Sequence, residues 1–117
     1  MLKKRVIVKI VFLFTTLAYF MPIAQANVED ENAFALAKQS ACLGCHAVNK
    51  KVVGPSFQAV AEKYKNDSNA QVFLKNKIAK GGSGSWGVVP MPANSKLSDA
   101  DLSTLTSWIL RGAPNKN

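Results

Sequence analysis

The chain has 117 residues, 15 Lys plus Arg against 7 Asp plus Glu, one His and two Cys, for a formal net charge of +8. That length holds one small domain, and an apolar content of 48% excludes disordered and collagen-like chains. One His and two Cys are too few for a closed tetrahedral zinc site within one chain or for a disulfide framework.

Residues 1–26 read as a cleaved secretory signal peptide. Lys3, Lys4, Arg5 and Lys9 form a basic start, Ile10 to Met21 is almost wholly apolar, and Ala24-Gln25-Ala26 is a small-residue cleavage signal. A retained anchor is the rival reading, but Thr15, Thr16, Pro22 and Gln25 dilute the run, which is short for a span of ~20 residues. No Cys lies near the cleavage signal to carry a lipid. The mature chain, 27–117, is therefore expected to be soluble in the bacterial periplasm, without stable membrane insertion. It keeps 11 basic and 7 acidic residues, and its lysines are scattered without a basic run. A nucleic-acid surface is not indicated; a basic rim that steers an acidic partner remains open.

In chain order, the mature segment carries helical signals and no convincing alternating strand, so the expected fold class is all-α. Glu29, Asp30 and Glu31 suit a helix N-terminus, and Ala33, Phe34, Ala37 and Ala41 give one face ending near Cys42. Ser56 opens a second helix with Phe57, Val60, Ala61 and Tyr64 at helical spacing. Ser68 or Asn69 caps a third, with Val72, Phe73, Ile78 and Ala79 on its inner side and Gly81-Gly82 ending it. Residues 81–96 read as irregular. The last helix is best specified: Ser98 and Asp101 form a capping box, with Leu97 and Leu102 placed for a hydrophobic staple. Leu102, Leu105, Trp108 and Ile109 make its buried stripe, Arg111 complements the C-terminal dipole, and Gly112 and Pro114 end it.

Between the first two helices stands Cys42-Leu43-Gly44-Cys45-His46, an unbroken CxxCH. Two residues between the thiols let both sulfurs reach the vinyl groups of one haem, and the following imidazole lies under the iron. The expected cofactor is one covalent haem c, with thioethers at Cys42 and Cys45 and His46 as an axial ligand. The rival is a thiol–disulfide motif, which requires a low-pKa Cys and lacks its βαβ setting here.

Met1 and Met21 leave with the signal peptide, so Met91 is the one remaining sulfur or imidazole in the mature chain. It lies in Val89-Pro90-Met91-Pro92-Ala93-Asn94, where prolines fix φ and remove donors. This suits a strap presenting one side chain to the iron without joining regular structure. A His46/Met91 pair raises the reduction potential and fills the coordination sphere, favouring electron transfer. The run Gly82-Ser83-Gly84-Ser85-Trp86-Gly87 satisfies GxGxxG, but it follows a helix and opens none, so a dinucleotide site is excluded. Its glycines are expected to let the backbone pass close to the haem edge.

Four segments together, LAKQSACLGCHAV at 36–48, KKVVGPSF at 50–57, GGSGSWGVVPMPAN at 81–94 and LSDADLSTLTSWIL at 97–110, resemble the small class I bacterial c-type cytochromes of the cytochrome c-551/c-552 kind, also called cytochrome c8. The resemblance spans nearly all of residues 32–112. It implies four or five short helices around one haem, crossing terminal helices, and a soluble one-electron shuttle between periplasmic respiratory partners. It further implies that Pro55 accepts from His46, that Trp86 donates to a haem propionate, that Lys77 places positive charge near a propionate, and that Asn94 hydrogen-bonds near the Met91 sulfur. Two departures stand out: Ala93 where a second Pro is usual, and Ala41 where Gly is common. The reading is a monomeric electron carrier rather than an enzyme, docking on acidic surfaces of redox partner proteins. The alternative is a haem-based small-ligand sensor or peroxidase-like protein with a labile Met91.

Overall fold

The computed structural model describes residues 23–115, and side chains from Val28 onward. Most of the signal segment thus lies outside the described residues. Four α-helices follow one another: α1 (Ile23–Gln39), α2 (Phe57–Tyr64), α3 (Ala70–Lys80) and α4 (Asp99–Leu110), with a 3-10 turn at Cys42–Gly44. Among the described residues the sole strand-like pairings are two isolated bridges, so the all-α expectation holds.

α4 is the element against which the others pack, touching α1, α2 and α3. Its stripe of Leu102, Leu105, Trp108 and Ile109 is buried, as its periodicity predicts. Apolar burial of this kind is the main force holding short helices that are marginal alone. The capping box forms as predicted: Ser98 Oγ accepts from the Asp101 N–H at 3.1 Å, and Asp101 Oδ2 accepts from the Ser98 N–H at 3.1 Å. Phe34 from α1 and Phe57 from α2 meet the Trp108 ring edge-on, at centroid distances of 6.1 and 5.2 Å, a favoured aromatic geometry. Ala33 and Ala37 are fully buried in the same core, where their small size lets backbones approach. The Trp108 indole N–H is satisfied by the Pro114 carbonyl at 3.0 Å, so the tail after Gly112 folds back on the core.

Several local expectations are corrected. Ala41 is not on the inner face of α1; it is exposed and left-handed, with φ +60°. In the full chain α1 begins at Ile23, ahead of Glu29, Asp30 and Glu31; Asp30 pairs with Arg111 at 2.7 Å and ties α1 to the end of α4. On α3, the buried line is Ala70, Leu74 and Ile78, four apart, while Val72 and Phe73 are exposed, at 63% and 38%. A residue two positions from Ala70 lies on the far side of a 3.6-residue turn. The start of α3 is capped from outside: Asp67 Oδ1 accepts from the Asn69 N–H at 2.8 Å, while Asn69 makes no side-chain cap.

Candidate haem site

The segment between α1 and α2, residues 40–56, folds back on itself. The His46 N–H donates to the Cys42 carbonyl at 2.9 Å, and the Cys45 carbonyl accepts from Val53 at 3.1 Å and Gly54 at 2.8 Å. These bonds turn the chain so that the Pro55 carbonyl lies 2.7 Å from His46 Nδ1. A carbonyl can only accept, so Nδ1 carries the proton and Nε2 keeps the lone pair a metal requires. The Phe57 ring stacks on the imidazole at 5.4 Å and 19°. Gly54 makes this closeness possible, since a Cβ there would strike the imidazole, 2.8 Å from Nδ1. Nothing in the sequence distinguishes Gly54 from a plain turn glycine.

The Met91 segment is placed differently. Gly81 ends α3 with φ +69°, and a Cβ there would meet the Met91 carbonyl oxygen and come 2.7 Å from the Ala93 nitrogen. Gly82 and Met91 exchange both backbone hydrogen bonds, at 2.9 and 3.0 Å. The strap thus joins an antiparallel bridge, where the sequence predicts none. Beyond it, the Asn94 N–H donates to the Ile78 carbonyl at 2.9 Å, and Asn94 Nδ2 to the Ser40 carbonyl at 3.3 Å. The side-chain bond of Asn94 therefore goes to the end of α1, where a helix leaves carbonyls without partners, rather than to the Met91 sulfur.

Between these segments lies a cavity of about 470 Å³. Of the eight residues singled out from sequence, Cys42, Cys45, His46, Pro55, Lys77, Trp86 and Met91 line it, and Asn94 does not. Much of the remaining wall is apolar, including Phe57, Leu74, Ile78, Leu105 and Ile109. Leu74 belongs to this wall although the sequence reading passed it over; only the i, i+4 relation to Ala70 and Ile78 points to it. Trp86 is 46% exposed, at the cavity's edge.

The donor set fits a haem. Two thiols, an imidazole with a free Nε2 and a thioether share one apolar cavity, with the Lys77 ammonium and Trp86 indole available to anionic groups at its rim. Cys42 and Cys45 are not joined to one another. Burial pushes the Cys42 thiol above its ordinary value, outweighing a backbone hydrogen bond that lowers it. Thiol–disulfide chemistry asks for the reverse shift.

A helical domain with CxxCH at the end of its first helix and a methionine strap over the same apolar cavity is a class I c-type cytochrome. The chain belongs to the cytochrome c family, whose model matches residues 31–113, and it carries covalently bound haem c with its iron. It is 48% identical over 75 residues to cytochrome c-552 of Nitrosomonas europaea, covering 64% of this chain and 73% of that one. It is 42% identical over 90 residues to cytochrome c-551 of Allochromatium vinosum, 77% and 93% of the two chains. The crystal structure of wild-type Nitrosomonas europaea cytochrome c552 superposes with a TM-score of 0.65 at 46% identity, over 68% of this chain and 98% of that one.

Proposed function

We propose that this protein is a soluble periplasmic one-electron carrier whose haem iron is held between His46 Nε2 and Met91 Sδ. The observation that carries the reading is the imidazole fixed by the Pro55 carbonyl at 2.7 Å while Met91 lines the same apolar cavity. Bound there, the haem supplies an iron that gains and loses one electron. The chain does the rest. Cys42 and Cys45 tether the porphyrin edge; Pro55 holds the imidazole in one tautomer and orientation, which raises its basicity as a ligand. The thioether favours the reduced state, and the apolar walls restrain water and disfavour added charge on the iron. Lys77 and Trp86 face the haem's carboxylates.

Removal of residues 1–26 leaves a monomeric chain of 27–117, and no helix among the described residues is long and apolar enough to cross a membrane. Exposed lysines, including Lys50, Lys51 and Lys96, favour redox partners with acidic docking surfaces. Electron transfer to such partners slows as salt screens the attraction; a flat salt dependence removes the acidic-surface assignment.

The deciding experiment is the visible spectrum of the exported protein in both oxidation states, beside Met91→Ala. Wild type is expected to show low-spin haem with the weak red band of methionine-bound ferric iron. Met91→Ala loses that band and lowers the potential by tenths of a volt, within the roughly 0.8 V that axial ligands command. A high-spin, five-coordinate wild-type spectrum overturns the His46/Met91 assignment in favour of a small-ligand sensor or peroxidase-like protein.

A further inference from the structure

The stretch from Gly82 to Met91 is closed at its base by the bridge between those residues and narrowed at its tip, where the Gly84 N–H donates to the Gly87 carbonyl at 2.8 Å. Gly82, Gly84 and Gly87 have φ of +108°, +99° and +118°, conformations that glycine enters freely and that are entropically costly to hold. Val88 is 91% exposed and adds no burial that would hold the loop to the helices. A polar tie to the helices comes from Lys63, in the last turn of α2. Its Nζ donates to the Ser85 carbonyl at 2.5 Å, and lies 4.4 Å from the Trp86 ring centroid and 5.7 Å from that of Tyr64. An ammonium over an indole face is drawn to the ring's negative quadrupole.

We propose that Lys63 is a positioning residue for the haem cavity, clamping the Gly82–Met91 loop to α2 and so holding Trp86 over the cavity's edge. This rests on the cavity being the haem seat. Lys63 itself is not among the residues lining the cavity; it acts through Ser85 and Trp86. Without it, the loop samples open forms in which water reaches the haem edge, as expected of a glycine-rich segment with few ties to the helices.

The test is hydrogen exchange in the ferrous holoprotein at the amides of 83–87 and the Trp86 indole N–H, in wild type, Lys63→Met and Lys63→Arg. Lys63→Met is expected to speed exchange there about tenfold, the order expected when a ring contact and a hydrogen bond each sit at the low end of their range at an exposed site, with α3 and α4 amides unchanged. Lys63→Arg retains charge, donor and ring contact and returns exchange to within about twofold of wild type. Loop exchange that is unchanged in Lys63→Met, or as fast in Lys63→Arg as in Lys63→Met, overturns the proposal; a charge effect alone shifts the reduction potential without moving loop exchange. The two readings fail separately, because loss of Met91 ligation shows in the wild-type red band, whatever the loop does.

Discussion

His46 and Met91 line one cavity but are held there in contrasting ways. His46 is set by near neighbours: its ring bonds to a carbonyl nine residues on, and the turns that deliver that carbonyl run between residues 42 and 57. Met91 sits in a strap tied locally to Gly82, also nine residues away, but anchored beyond Met91 by long-range bonds. Its backbone pairs with Gly82 at the end of α3, and Asn94 reaches Ser40 across a separation of 54 residues. The first wall can form once a short loop closes, a modest entropic cost. The second requires that α1 and α3 already be packed. The difference makes the strap the softer half, and perturbing it should move ligation more readily than perturbing the CxxCH segment does.

The sharpest way to break the contrast is Gly81→Ala. Its φ of +69° and the close approach of Met91 and Ala93 leave no room for a methyl group. The backbone strain alone should cost about 1–3 kcal/mol, and the red methionine band should weaken with it. Denaturant melts and ferric spectra together check this, and a stable variant with an intact band would show the strap yielding without loss.

Gly54→Ala applies the same test to the His46 side. The imidazole must give way, and the bond to Pro55 with it, for a loss of about 1 kcal/mol or more. The tether through Cys42 and Cys45 should keep the haem in place, so the red band persists while the melting point falls and the potential rises, because a less basic imidazole stabilises ferric iron less. Equal damage to the Met91 band in both variants would erase the distinction between the walls.

Ala41→Gly should sharpen the comparison in the opposite sense. A left-handed alanine costs about 1–2 kcal/mol, glycine gives back part of that gain as unfolded-state entropy, and exposed Ala41 forfeits no buried contact. The net expectation is a gain of about 0.5–1 kcal/mol, seen as a raised denaturation midpoint with an unchanged spectrum.

The smallest effect concerns α4, on which both walls rest. Hydrogen bonds from the Ser98 side chain and backbone hold Asp101 below its ordinary value of 3.8. A depressed carboxyl contributes stability that is fully present above its unfolded value and lost as pH falls through its folded one. Wild type should therefore lose a little more stability than Asp101→Asn as acid is added below that value. Parallel melts across this range for the two proteins would remove the linkage.

Much of the His46 wall was legible in the chain because its information is local. CxxCH fixes three groups within five residues, and the Ser98/Asp101 pair marks the start of α4 by the same short-range logic. The strap's methionine was legible, since one methionine survives elimination, but its mounting was not. Gly81 reads as a helix stop and is also the surface on which Met91 and Ala93 lie. The resemblance implies a partner for Asn94 near the sulfur, and the structure gives it Ser40. Val72 shows how a hydrophobic residue misleads when a helix is short: one apolar position off the stripe is exposed without penalty enough to move it.

The sequence by itself determined the helical class, the paired cysteines with the imidazole beside them and the capped final helix, because each follows from spacing along a few turns of chain. Only the tertiary structure decided that Gly54 sits against an imidazole, that Gly81 carries a strap, and that Lys63 lies over Trp86. These are contacts between segments, and which backbone comes close to which side chain is settled when the helices pack on Trp108, not by any residue's local preference.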